Sequence, residues 1–396
     1  MIGNAKSFYG WFTVISILAM NGCSPSQVEL LSVDAGEGSA EPNLSVSPEG
    51  DVVLSYLVPV GEETALRFHT MGANGWSAAT TIVQAPNLMV NWADFPSVLP
   101  LSNRVMAAHW LTRSEGAAYA YDAKVAISMD AGMTWSKPKN IHSDTSLVEH
   151  GFVSLYPNGE GFGAIWLDGR RFANESDEEP STQLFARSIS IDGEFSPERL
   201  VDNKVCDCCQ TDIAVSDRGV IAAYRNRTNR EIRDIYVARY EGDQWSSEVS
   251  VAKDDWEITG CPVNGPALAA SGNHIVVAWF TASPTNRVRS AASSDGGLSF
   301  SAPVDIAMEY PIGRVDTIVA DDGSALVSWV EGNEGALMVR EVSKSGLLGS
   351  TLKVTKMATR RDAGFPRMVR TEDRVIFAWT DTSDELSRVR TAAVTL

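Results

Sequence analysis

The stretch CPVNGPALAASGNHIVVAWF (Cys261 to Phe280), continued by TASPTN, RVRSAASSDGGLSF and SAPVDIA, holds one complete copy of a unit that the rest of the chain repeats. Ser271-Gly272-Asn273 turns between two apolar segments of alternating pattern, a polar loop leads to a third, and Asp295-Gly296-Gly297 turns into a fourth. Four short segments of period two, joined by tight turns, describe a four-stranded antiparallel meander. One such sheet cannot bury both of its faces, so it needs copies of itself as neighbours.

The copies are located by the aromatic residue that ends each second strand: Tyr56, Trp110, Trp166, Tyr224, Trp279, Trp329 and Trp379, spaced 50 to 58 residues apart. Each follows a similar turn and strand, as in SPEGDVVLSY, LSNRVMAAHW and TEDRVIFAW. This period, with four strands in each repeat and no helical crossovers, excludes a parallel β/α arrangement. The expected fold is an all-β, seven-bladed β-propeller of four-stranded antiparallel blades, with a six-bladed ring carrying one irregular unit as the alternative. The last copy supplies three strands before the chain ends, and residues 28–33 form a spare strand able to complete it from outside. That closure would remove the open edge of the ring.

A second marker lies between third and fourth strands. Ser128, Asp130, Gly132 and Trp135 share the pattern S-x-D-x-G-x-x-W/F with Ser293, Asp295, Gly297 and Phe300. The Asp side chain can accept backbone N–H bonds across a Gly turn while the aromatic packs between sheets, so these are fold residues. The two segments resemble the Asp-box (BNR) repeats of the sialidase-like propellers. The resemblance implies that the boxes sit on the face opposite the functional one.

The chain has 396 residues, 44% hydrophobic and 21% charged, ordinary for a globular protein with a large core. A formal net charge of −17 disfavours nucleic acid or an anionic membrane surface as partner. The start combines one Lys, an apolar run from Phe8 to Met20 and Cys23, and reads as an export signal over residues 1–23. Its end resembles a bacterial lipoprotein signal with Cys23 as the lipidated residue; simple secretion and an uncleaved anchor are the other readings. The expected product is a monomeric propeller over residues 27–396, exported to the periplasm or cell surface and touching a membrane only through its lipid.

If the boxes mark one face, the loops entering each first strand and those between second and third strands lie on the other. They carry Asp94, Glu149-His150, Asp168, Arg170, Gln210, Arg225, Arg227, Asn264, Arg314 and Arg361. The sialidase resemblance implies an arginine cluster for a carboxylate, a Tyr-Glu nucleophile and an Asp acid/base. Asp94 then takes the acid/base role, and Glu149 partners a nucleophile. His150 and Asp168 complete the catalytic set. Arg170, Arg225, Arg314 and Arg361 are the anion ligands, with Arg227, Gln210 and Asn264 as further ligand contacts. Each has a plainer reading, Asp94 as a turn residue and the arginines as loop charges. The chain lacks the Arg-Ile-Pro stretch of that family, and no tyrosine is marked as the nucleophile, since Tyr224 is a blade aromatic.

Cys206, Cys208 and Cys209 lie in one entering loop and Cys261 in the next, within reach across adjacent blades. In an exported protein they read as disulfides, and four cysteines allow three pairings, one being Cys206 to Cys261 with a vicinal Cys208–Cys209 bond. The rival is a soft-metal site for Cu or Zn that adds His142 and His150 to the four thiolates. The expected function is a propeller that binds or processes a glycan or similar polar ligand at the channel mouth, and any enzyme would be a glycoside hydrolase or lyase before a true exo-sialidase. A non-enzymatic binding or assembly propeller and a metal-binding propeller are the alternatives.

Overall fold

Seven antiparallel sheets follow one another along the chain in a computed structural model that describes Met1 and residues 28–395, apart from 117, 118, 175 and 372. The first strands, innermost in the ring, are Ala40–Val46, Ser97–Pro100, His150–Asn158, Asp212–Ser216, Ala267–Ser271, Pro311–Val319 and Arg367–Arg370. Blades one to seven are numbered from these strands. Successive first strands touch, blade seven touches blade one, and the ring is closed. In blades one and four the outer strand is split into two short segments that both pair with the third strand.

Val28–Leu31 pairs antiparallel with the final strand Arg388–Thr395, Val28 opposite Val394 and Leu31 opposite Thr391. The seventh sheet is thus built from both ends of the described chain. Cys23 and the rest of the leader after Met1, together with residues 24–27, lie outside the described residues.

Each second-strand aromatic is buried, and each lies in a hydrophobic cluster between two neighbouring blades. There are seven such clusters among the described residues, one for each interface including that between blades seven and one. This is why one large aromatic recurs per repeat: a wedge-shaped gap between twisted sheets is filled from the middle strand, and the area removed from water drives closure. Trp166 and Trp279 are fully enclosed.

The turns at Ser128 and Ser293 share one hydrogen-bond pattern. Ser128 Oγ donates to Asp130 Oδ1 at 2.9 Å and accepts from Gly132 N at 2.8 Å, while Asp130 accepts from Thr134 N at 2.8 Å. Ser293, Asp295, Gly297 and Ser299 repeat these bonds. Gly132 is required here twice over, since its φ is +85° and a Cβ would strike the Phe68 ring of blade one. Gly132→Ala is expected to cost about 1–3 kcal/mol of stability, read as a lower urea midpoint with unchanged circular dichroism. A midpoint equal to wild type would mean that the ring moves aside freely.

Candidate functional site

At the end of the ring opposite these turns, the loops entering the first strands converge over a channel. The channel holds a cavity of about 160 Å³ to which all seven blades contribute, lined among others by Asp94, Gln210, Asp212, Phe365 and Arg367. That is room for a few waters and less than an ordinary small-molecule pocket. The loop from Asn91 to Phe95 reaches across it. The Gln210 side-chain amide donates to Ala93 O at 2.6 Å and accepts from Gly265 N at 3.0 Å, tying this loop to blades four and five. Trp92 stacks on Phe365 of blade seven, with ring centroids 5.9 Å apart.

Most of the basic residues that the sequence nominates are committed to the scaffold. Arg225 is buried, and its guanidinium donates to three carbonyls, Asn264 O at 2.9 Å, Arg233 O at 2.6 Å and Phe280 O at 2.8 Å. Burial lowers its pKa to about 9. Arg314 likewise donates to the carbonyls of Gly364, Thr359 and Arg360. Asn264 Oδ1 accepts from Arg314 N at 2.7 Å, which places that amide in the frame as well. Arg227 is shared between Glu231 and Asp207. These four are struts and ion pairs, because most of their donors already point at carbonyls or carboxylates. Arg361 alone of the nominated arginines stays exposed, 5.9 Å above the Trp92 ring.

Asp168 is also spoken for. It is fully buried, and its oxygens accept from Trp166 Nε1 at 2.8 Å and from Arg170 Nε at 2.8 Å. Burial pushes its carboxyl up, but its neighbours, Arg170 first and the Trp166 indole among them, together more than offset this and hold it below the usual carboxylate range. Arg170 continues to Glu198 at 2.9 Å. The pair ties one edge of blade three together.

Asp94 differs. It lines the cavity and is 2% exposed, Oδ2 accepts from the Tyr121 hydroxyl at 3.1 Å, and Oδ1 is buried with no partner. Burial raises its pKa to about 7. Tyr121 opens the third strand of blade two, and burial together with the Asp94 charge raises its phenol well above the usual value. Tyr121 also bridges in parallel to Glu149, whose carboxyl is raised by burial and by Asp207. Gly151 is necessary beside them, because a Cβ there would collide with Asp94 Oδ2 and stand 2.6 Å from the tyrosine ring.

Three further groups escape sequence reading. Glu41 is buried with Oε2 unpartnered and its pKa raised by burial to about 8. Arg367 lines the cavity, its Nε 3.5 Å from Asp316 Oδ2. Trp92 sits half-buried beneath Arg361 and Arg314. Glu41, Phe152 and Arg314 all have positive φ, between 51° and 56°, and each marks an irregular register at the start of a first strand. Such bulges re-aim a side chain, and no single-residue pattern announces them.

The cysteines form Cys206–Cys209 and Cys208–Cys261 bonds, with Cα separations of 5.8 and 6.2 Å. The arrangement with Cys206–Cys261 and a vicinal pair is corrected. Cys209 is buried and Cys208 partly exposed towards Cys261, so the two neighbours face different ways. His142 and His150 stack on one another and group with Asp122, Asp144 and Asp168, whereas the sulfurs group among themselves. Breaking the inter-blade bond by Cys261→Ser opens a link of 53 residues and is expected to cost up to about 4 kcal/mol, read from the denaturation midpoint of oxidised protein.

No protein-family profile matches the chain, and no curated protein matches it. Solved structures do. A protein of unknown function from Dyadobacter fermentans DSM 18053 superposes with a TM-score of 0.54 at 13% identity, covering 93% of this chain and 98% of its own. The polysaccharide lyase Uly1 gives 0.56 at 8% identity with 90% of each chain covered. The GH93 α-L-arabinofuranosidase of Fusarium graminearum in complex with arabinobiose gives 0.53 at 12%, covering 93% and 98%. At these identities the likeness is one of fold. The chain is a seven-bladed propeller of four-stranded antiparallel blades, and what it shares with these structures is that architecture.

Asp94, Asp212 and Glu41, with values of about 7, 6 and 8, each bind a proton more tightly in the folded than in the unfolded chain. Their contribution to stability is therefore full below the ordinary carboxylate range and is lost as pH rises through these values. Thermal midpoints should fall from about pH 4 to about pH 8, and Asp94→Asn should flatten the part between the ordinary carboxylate value and about 7. An equal slope in wild type and variant would remove Asp94 from this balance.

Proposed function

We propose that the chain is an exported propeller, monomeric and lipid-anchored through Cys23, that binds a neutral carbohydrate or similar polyol at the channel mouth. One observation carries this reading: the half-buried Trp92 ring is held by Phe365 and lies beneath the exposed Arg361, which a ligand can displace, two residues from a carboxyl with one free oxygen. A flat aromatic fixed beside hydrogen-bonding groups is what the apolar face of a sugar ring stacks on. Neutrality follows from charge. Arg225 and Arg314 are bound to carbonyls and Arg367 lies beside Asp316, so the carboxylate of a sialic or uronic acid meets no prepared cluster.

A glycan panel screened by calorimetry tests it. Trp92→Ala should weaken the best ligand at least about tenfold, the worth of roughly 1.4 kcal/mol of stacking. Unchanged affinity, or preference for acidic glycans, would sink the reading.

A second reading, a glycoside hydrolase, draws on Asp94 with Tyr121 and Glu149. A carboxyl with a pKa of about 7 keeps a proton to give to a leaving oxygen near neutrality. Turnover would then fall as pH rises through that value and vanish in Asp94→Asn, while binding persists. Loss of binding and turnover together would return Asp94 to a ligand-holding role.

A further inference from the structure

The wedge between blades two and three holds a second constellation, outside the channel and unused by the reading above. His142 and His150 are 4% and 0% exposed, and their rings stack in parallel with centroids 3.6 Å apart. Asp144 orients both. His142 Nδ1 lies 3.0 Å from its backbone oxygen and His150 Nε2 lies 3.1 Å from its Oδ2, which also accepts from the Ser146 hydroxyl. A carbonyl and a carboxylate accept only, so each imidazole donates its N–H to Asp144. The opposite nitrogens, His142 Nε2 and His150 Nδ1, then carry lone pairs. Both are buried and unpartnered.

Those two lone pairs face a third acceptor. Asp122 Oδ1 stands 3.2 Å from His142 Nε2 and 3.9 Å from His150 Nδ1. Ser114 steadies the other oxygen of that carboxylate at 3.1 Å, and Lys124 reaches only that other oxygen, at 4.0 Å. Three acceptors thus lie together with no donor between them, which is unfavourable unless a cation lies there, and because the two rings are parallel one of them tilts to bring both lone pairs onto one ion. Two imidazole nitrogens and a carboxylate oxygen, with the far nitrogens held by an oxygen shell, are the donor set and support that a metal ion requires. Asp122 borders a surface groove with Thr112, Ser114 and Asn140, which leaves a path in and a further coordination position for water.

We propose that Asp122, His142 and His150 bind a divalent first-row transition ion, with Asp144 as the residue that fixes both rings. The site is distinct from the sulfur-based one that the cysteine spacing suggested, since all four cysteines are bridged. Tyr121 and Asp122 are consecutive on one strand and point to opposite sides, so one strand end serves the channel and the wedge separately.

Calorimetric titration of chelator-treated, oxidised full-length protein with Zn2+ tests it, with bound metal counted after dialysis. The expected result is one equivalent per chain. Asp122→Asn, nearly isosteric and partly exposed, should fold as wild type by circular dichroism and bind Zn2+ at least about tenfold more weakly; Asp144→Ala, which frees the rings, should weaken it about 10- to 100-fold. Thermal midpoint should rise with Zn2+ in wild type and not in Asp122→Asn. Absence of saturable binding at about 1 mM Zn2+, or equal binding by wild type and Asp122→Asn, would overturn the proposal and leave a proton shared between His142 and Asp122. Binding that survives Asp122→Asn but is lost in Cys261→Ser would assign the ion to the sulfurs and overturn it equally.

Discussion

A propeller leaves one problem at its centre: the innermost strand of every blade pairs on one edge only, and its other edge faces the channel with backbone N–H groups that need partners. Here the neighbouring blade supplies them. Asp212 accepts from Leu268 N of the next blade at 2.7 Å, and Asp316 accepts from Met368 N at the same distance. Each carboxylate spends its second oxygen on the amide that follows it, Ile213 or Thr317. Ser154 joins blade three to blade four in the opposite sense, its hydroxyl donating to the Thr211 carbonyl at 2.8 Å. The cost is two carboxylates buried beside one arginine, and burial accordingly raises both.

The loops above these strands face the mirror-image problem, with carbonyls turned inward and no ladder to take them. Arg225 and Arg314 answer it, each guanidinium gathering three carbonyls across a blade interface. An arginine suits the task because its planar fork presents several donors at fixed angles and it keeps its proton even when buried. Polar residues around a propeller channel are therefore not by themselves a site. The groups that matter are those left over once the architecture is satisfied: Asp94 Oδ1, Glu41 Oε2 and the exposed Arg361 above Trp92.

This division explains what could be read from the chain beforehand. The seven aromatics, their preceding turns and the Ser-x-Asp-x-Gly boxes act within about ten residues, so local pattern carries them. Arg225 and Asn264 read as ligand contacts because their hydrogen-bond partners, an acceptor for the first and a donor for the second, lie 39 and 50 residues away in neighbouring blades. Asp94 was legible as a polar residue on the functional face, but its partner Tyr121 was not, since the contact spans 27 residues and the tyrosine looks like any aromatic at a strand end. The cysteines were legible as partners across blades, while the choice among pairings depended on which way Cys208 and Cys209 face.

Burial then separates two kinds of carboxyl on the functional side. Asp168 has neighbours, Arg170 first among them, that together outweigh the loss of water, and its carboxyl lies low. Asp94 and Glu41 have one hydroxyl or a distant guanidinium, which does not outweigh it, and theirs lie high. A fold that only needed to close would have no use for the second kind, since an apolar residue of similar size would avoid the desolvation cost. Asp94 keeps that cost at the floor of the channel, beside a glycine that exists to make room for it. The same loop holds Trp92 in place through Phe365 and Gln210, so the least economical group in the channel and its most ligand-like surface are positioned by one segment, Asn91 to Phe95.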